Sequence, residues 1–164
     1  MIRWRAFISG FVVAAVATGA VLYGLERLDR AYPPPLRNAR LVSQEVLDAD
    51  GRLLRAFATP QGRWRLKTSV ADVDPQFVRM LVAYEDQRFF DHGGVDFQAL
   101  GRAAWQLATN GRIVSGASTL SMQVARLIEP RADRSLNAKL LQMVRAWQIE
   151  RRLSKQQILE LYLN

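Results

Sequence analysis

From Phe7 to Leu25 the chain runs for 19 residues without a charged side chain. A helix needs about 20 apolar residues to cross the hydrocarbon of a bilayer, because every backbone polar group must be satisfied within the segment. This run commits the first part of the chain to a membrane helix rather than a soluble core. Arg3 and Arg5 precede it, and the charges after it, Glu26, Arg27, Asp29 and Arg30, balance. The positive-inside bias then puts residues 1–6 in the cytoplasm as a short tail and everything beyond the span outside. A cleaved signal peptide would have a shorter apolar stretch and a small-residue cleavage site. Ala17, Gly19 and Ala20 offer small residues, but the length favours an uncleaved signal anchor over 7–26.

Pro33-Pro34-Pro35 cannot continue a helix and reads as a stiff spacer within a linker over 27–41. Residues 42–68 carry an Asp50-Gly51 turn between Val46-Leu47 and Leu53-Leu54, and a second turn signal at Pro60-Gln61-Gly62. That pattern predicts a small antiparallel hairpin or meander. Beyond Ser69 the period becomes helical. Asp74-Pro75 opens one helix, with Phe77, Met80, Leu81 and Tyr84 as its expected buried stripe. Asp96 caps a second, with Phe97, Leu100, Ala104 and Leu107 inward, ending near Asn110-Gly111. A third runs from Ser118-Thr119 through Leu120, Val124, Leu127 and Ile128 to Glu129-Pro130. The fourth spans Ser135 to Leu153 with Leu136, Leu140, Met143, Val144 and Trp147 on its apolar side. Ser154 and Gln157 form a capping box for a fifth. With no stop signal after Tyr162-Leu163-Asn164, residues 69–164 read as a partial domain, and the chain as an amino-terminal fragment.

The net charge is +8, which favours an anionic partner; an exported, anchored body makes nucleic acid the least suitable of these. The chain has no cysteine and one histidine, His92, so disulfides and thiol chemistry are excluded, and a Cys/His metal set with them.

Three stretches could carry chemistry. In YEDQRFFDHGG, Tyr84 to Gly94, Glu85 falls on the shoulder of the expected stripe at ~100° per residue, where partial desolvation would make its carboxylate a better base. Asp86 points away and suits a structural hydrogen bond, Asp91 is a solvated turn residue, and His92 before Gly93-Gly94 suits a loop brace. The bland alternative for Glu85 is a surface acid at a helix end. In SGASTLSMQVAR, Ser115 to Arg126, small residues lead into hydroxyls at a helix start, where free N–H groups and the dipole attract phosphate. An ordinary N-cap explains the same residues. In NAKLLQMVRAWQIERR, Gln142 and Arg145 share a side flanked by Lys139, which equally reads as a solvated basic face. Glu160 lies between Leu159 and Leu161 as a partly buried acid.

Taken together and in this order, the stretches resemble the family 51 peptidoglycan glycosyltransferases, the membrane-anchored domain of class A penicillin-binding proteins. The first family motif, E-D-x-x-F-x-x-H-x-G, is matched by Glu85, Asp86, Phe89, His92 and Gly94. The second, G-x-S-T-x-x-x-Q, is matched by Gly116, Ser118, Thr119 and Gln123. The fourth, K-x-x-I-L-E-x-Y-L-N, is matched by Lys155, Ile158, Leu159, Glu160, Tyr162, Leu163 and Asn164. The similarity covers about Val42 to Asn164. The third motif departs: where most members read R-K-x-x-E, this chain has Ala138, Lys139 and Gln142, a pattern most similar to the penicillin-binding protein 1C branch. A lysine usual after the second motif is Arg126 here, which keeps the charge with a different geometry.

The resemblance implies a mainly α, lysozyme-like helical domain with a small hairpin region, a membrane-dipping jaw and one amino-terminal transmembrane helix. It implies polymerisation of lipid II into glycan strands at the inner membrane, with inversion at the anomeric carbon and release of undecaprenyl pyrophosphate. Glu85 would be the general base. Ser118, Thr119, Gln123, Arg126, Lys139 and Gln142 would bind substrate, with magnesium or manganese on the pyrophosphate and no covalently bound cofactor. Asp86, Phe89, His92, Gly94, Gly116, Glu160, Tyr162 and Asn164 would be structural. Expected partners are lipid II, the growing strand, membrane lipid and other cell-wall synthesis and division proteins. Gln142 cannot act as an acid, so a second acidic role is weakened. Two rivals stand against this: a lysozyme-like glycoside hydrolase, which needs a carboxylate pair across the scissile bond, and a non-catalytic anchored cell-wall module.

Overall fold

A computed structural model describes residues 2–37, 42–112, 116–130 and 135–164, with side chains from residue 10 onward. Two compact units are present, Met1–Pro34 and Pro35–Asn164. The first is α1, Ile2–Ala31, of which Gly10–Ala31 is long and apolar enough to cross a membrane. The helix outlasts the uncharged run and takes up the first residues of the expected linker. Nothing between Leu25 and Tyr32 breaks it, and Arg30 pairs with Glu26 one turn back at 3.2 Å. Residues 38–41 of that linker lie outside the described set.

The second unit opens with the expected hairpin. Strands β1, Gln44–Leu47, and β2, Leu53–Phe57, pair antiparallel with Gln44 opposite Phe57 and Leu47 opposite Leu53; one residue is absorbed as a bulge beside Val46. Gly51 takes the turn at φ +79, and Asp48 accepts from the amides of Asp50 and Arg52 at 2.9 and 2.8 Å. The second turn folds the chain back so that the Ser43 amide donates to the Arg65 carbonyl at 2.8 Å. Asn164 then ties the far end of the sequence to this segment. Its side-chain amide accepts from the Thr68 amide at 2.9 Å and donates to the Thr68 carbonyl at 2.7 Å.

Five helices follow: α2 Pro75–Glu85, α3 Phe97–Asn110, α4 Leu120–Ile128, α5 Leu136–Glu150 and α6 Lys155–Leu163. Asp74, Asp96, Thr119, Ser135 and Ser154 cap their starts, each accepting a backbone N–H in the first turn. The shortest helices make the centre. Leu120, Val124, Ala125 and Ile128 of α4 are buried against Ile149 of α5 and Ile158 and Leu159 of α6, with Val82 and Phe89 closing the cluster.

The faces that turn inward differ from the stripes expected of the large apolar residues. On α2 the core takes Val82, with Val78 packed against it, while Phe77, Met80 and Tyr84 are exposed. On α3 it takes Ala99 and Ala103, leaving Phe97, Leu100 and Leu107 outside with Ala104. On α5, Ala138, Ala146, Gln148 and Ile149 face in, while Leu136 and Leu140 face out; on α4, Leu127 is exposed. These helices are apolar on more than one side, so periodicity alone cannot select the packed face. Small residues face inward at the crossings, where backbones approach closely.

Arg88 and Asp96 lock the loop between α2 and α3: Nε donates to Oδ2 at 3.0 Å and Nη2 to Oδ1, while Asp96 also caps α3 through the Ala99 amide at 2.8 Å. The Arg88 guanidinium, opposed only by burial, holds the Asp96 carboxyl below its usual range. A depressed folded value adds stability that is present above the unfolded value of ~3.9 and lost as pH falls through the folded one. Thermal unfolding against pH should therefore show a loss below about pH 4. Asp96→Ala should remove that component and cost about 1 kcal/mol at neutral pH through the lost cap; an unchanged acid limb would contradict the assignment.

Candidate active site

Val78 and Val82 define the packed line of α2, and Glu85 extends it by one turn. Glu85 thus lies along the inward face rather than on its shoulder. It is half-buried, and Gln123 Nε2 of α4 donates to its Oε2 at 2.7 Å.

The residues after Glu85 are fixed from several sides. Asp86 ends α2, with its amide on the Val82 carbonyl at 2.9 Å, and its Oδ2 accepts from the Leu120 amide at the start of α4 at 3.0 Å. His92 Nε2 lies 3.0 Å from both Asp86 oxygens, while His92 Nδ1 accepts from the Gly94 amide at 3.2 Å. An accepting Nδ1 leaves the proton on Nε2, so the imidazole is placed as a neutral donor to Asp86. This is the brace expected of His92. Phe89 is fully buried beneath the loop. Gly94 sits at φ +98 with its Cα against α5: an added Cβ would lie 2.7 Å from the Ala146 carbonyl carbon. Its carbonyl accepts from Thr119 Oγ1 at 2.6 Å.

That bond revises Thr119. Its hydroxyl also accepts from the Met122 amide at 3.1 Å and the residue is 2% exposed, so the side chain acts as a cap and a loop anchor. Ser118, one residue earlier, is exposed and accepts from Lys139 Nζ of α5 at 2.5 Å. Gly116 is exposed beside it, and Ser115 lies outside the described residues. Burial, then the neighbouring Arg126 cation, lower the Lys139 ammonium below an ordinary lysine. Tyr162 of α6 is raised, by burial first and then by the Glu85 carboxylate, with Arg126 acting the other way. Glu85, Gln123, Ser118, Arg126, Lys139 and Tyr162 therefore meet where α2, α4, α5 and α6 converge. A cleft of about 340 Å³ opens beside Glu85, floored by the approach to α4 from Gly116 to Thr119 and walled by Arg88, Asp96 and Arg102.

Gln142 stands one turn along α5 from Lys139, in a narrow crevice with Ala125, Glu129, Ala138, Leu141 and Arg145. The face shared with Arg145 is not solvated. Arg145 is 15% exposed, donates to Glu129 at 2.9 Å, and donates to the fully buried Gln148 at 2.8 Å. Glu160 and Asn164 line a different cavity of about 410 Å³ with Lys67, Thr68 and Gln157, away from Glu85.

Sequence reasoning passed over Ser121 and Glu150, which bond each other at 2.5 Å in the interior. The available signal was a hydroxyl between Leu120 and Met122 on a buried helix; Glu150 stands before Arg151-Arg152, where nothing in the spacing points to a buried partner. Among the described residues no group of three or more His, Cys, Asp or Glu side chains could hold a metal ion, and the donors around Ser118 are cationic.

A profile of the transglycosylase family matches residues 50–164. The chain is 43% identical over 136 residues to penicillin-binding protein 1C of Escherichia coli, covering 83% of this chain and 17% of that protein. It is 40% identical over 130 residues to penicillin-binding protein 1A of Pseudomonas aeruginosa, covering 79% and 16%. Against penicillin-binding protein 1A of Escherichia coli it is 32% identical over 166 aligned positions, 96% of this chain and 19% of that one. The chain thus spans less than a fifth of the length of these relatives.

Proposed function

Because this chain belongs to the transglycosylase family, we propose that it is a peptidoglycan glycosyltransferase that extends glycan strands from lipid II. The observation that carries the reading is the presence of one half-buried carboxylate, Glu85, together with a cationic and hydroxyl cluster formed by Ser118 before α4, Arg126 in its last turn and Lys139 of α5.

In this reaction the 4-hydroxyl oxygen of the acceptor sugar attacks the anomeric carbon of the donor. The bond from that carbon to the phosphate oxygen breaks, configuration inverts, and undecaprenyl pyrophosphate leaves with the bonding electrons. Glu85 takes the hydroxyl proton, and Gln123 orients its carboxylate. Ser118, Arg126 and Lys139 meet the pyrophosphate. Burial and Arg126 hold the Lys139 ammonium below an ordinary lysine, and an arriving dianion would favour its charged form. Gln142 adds no second carboxylate, so in this reading the proton transfer falls to Glu85. Magnesium or manganese would supply counter-charge to the pyrophosphate.

The apolar α1 and the outward aromatic faces of α2 and α3 suit a substrate drawn from a bilayer, delivered on the outer side of the cytoplasmic membrane. The test is to offer the membrane-reconstituted protein labelled lipid II and, separately, purified glycan polymer. Longer strands from lipid II are expected, with the polymer left intact; cleavage of polymer without elongation would make the protein a hydrolase instead.

A further inference from the structure

Lys155, the first residue of α6, is bound to groups that take no part in the proposed chemistry. Its ammonium donates to Glu150 Oε1 at 2.7 Å and to the backbone carbonyl of His92 at 2.6 Å, and it stands 4.4 Å from the centroid of the Phe89 ring. An ammonium has three N–H donors, so a carboxylate, a carbonyl and an aromatic face engage all of it. Glu150 Oε1 accepts in turn from Ser121 Oγ at 2.5 Å. The Glu150 side chain is 8% exposed and Ser121 fully buried. The cluster joins the first turn of α4, the end of α5, the start of α6 and the loop after α2.

A buried ion pair adds little net stability once desolvation is counted, whereas its hydrogen bonds fix geometry. Glu150 cancels the ammonium locally, so Lys155 has little field to exert on Glu85. The contact with the His92 carbonyl is what reaches the site. That backbone carries the imidazole bonded to Asp86, and Asp86 adjoins Glu85 at the end of α2. A shift of the His92 backbone would be passed through Asp86 to the direction in which Glu85 points.

We infer that Lys155, backed by Glu150 and Ser121, is a positioning residue that pins the His92 backbone and so keeps the Asp86–His92 brace aiming Glu85. The catalytic side of this rests on Glu85 being the base.

The chain has no cysteine, so Lys155→Cys introduces a single thiol, and alkylation with 2-bromoethylamine returns an ammonium at nearly the length of lysine. In the reconstituted protein, Lys155→Met is expected to lower kcat for elongation about 10- to 100-fold, the scale of a misplacement near 1 Å, with KM for lipid II changed less than about twofold. Amide exchange should quicken across residues 87–95 while α6 stays protected. The alkylated Lys155→Cys variant should recover most of the lost kcat and the untreated variant should not. In a Glu85→Gln background, Lys155→Met should add nothing further, since both act through one step. If Lys155→Met does not fold, Glu150→Gln, which still accepts from Ser121, gives the same readouts with a loss of a few-fold. Wild-type kcat, full additivity with Glu85→Gln, or quickened exchange in α6 with an unchanged loop would each overturn the inference. Should Glu85→Gln keep full activity, the assignment of the base falls, and loop exchange in Lys155→Met still decides whether Lys155 holds the loop.

Discussion

Glu85→Gln is expected to lower the elongation rate by about 10³-fold, within the range of a lost general base, which corresponds to ~4 kcal/mol of barrier. The substitution is chosen for what it keeps. The amide oxygen can still accept from Gln123 Nε2, which reaches Glu85 at 2.7 Å, so position and packing survive while the proton acceptor is removed. The cationic cluster lies on α4 and α5, so affinity for the lipid-linked donor should change little. Single-turnover elongation with labelled lipid II, paired with thermal unfolding, separates the two. A variant that unfolds at the wild-type temperature and elongates at the wild-type rate would remove Glu85 from the mechanism.

Gly94→Ala should have the largest effect on folding. The added methyl would come within 2.7 to 2.8 Å of the Ala146 carbonyl carbon and oxygen and the Trp147 nitrogen, all backbone atoms of α5 that no rotamer can move aside. The residue also sits at φ +98, which side chains rarely adopt. Overpacking costs ~1–3 kcal/mol and a left-handed backbone ~1–2 more, so a fall in the unfolding midpoint of about 5–15 °C is expected. Because the Gly94 amide holds His92 Nδ1 and its carbonyl holds Thr119, elongation should drop further than the midpoint alone requires. An unchanged midpoint would show that the loop does not press on α5 in solution.

Much of the architecture is legible in the residues. The hairpin follows from Asp50-Gly51 between apolar pairs, and each helix start from its Asp, Ser or Thr, because turns and caps are decided within a few residues of chain. Asp86 and His92 read as braces for the same local reason. The packed faces do not read out. Phe77, Met80 and Tyr84 outrank Val78 and Val82 in apolar area, yet the latter meet the core. That choice belongs to what α4 and α6 present to α2. The substrate set divides likewise: Ser118 and Thr119 are adjacent and chemically alike, and the helical turn exposes one hydroxyl and buries the other.

The sequence by itself determined the long apolar first helix, the order and caps of the elements, and the motif resemblance from which Glu85 is proposed, since these depend on composition and local spacing. The tertiary structure decided which side of each helix is inside, that Gln123 meets Glu85, and that Lys155 reaches the carbonyl of His92 across 63 positions of sequence. Contacts of that separation are set by how α4 crosses α5 and α6, and side-chain periodicity along any one helix carries no information about that crossing.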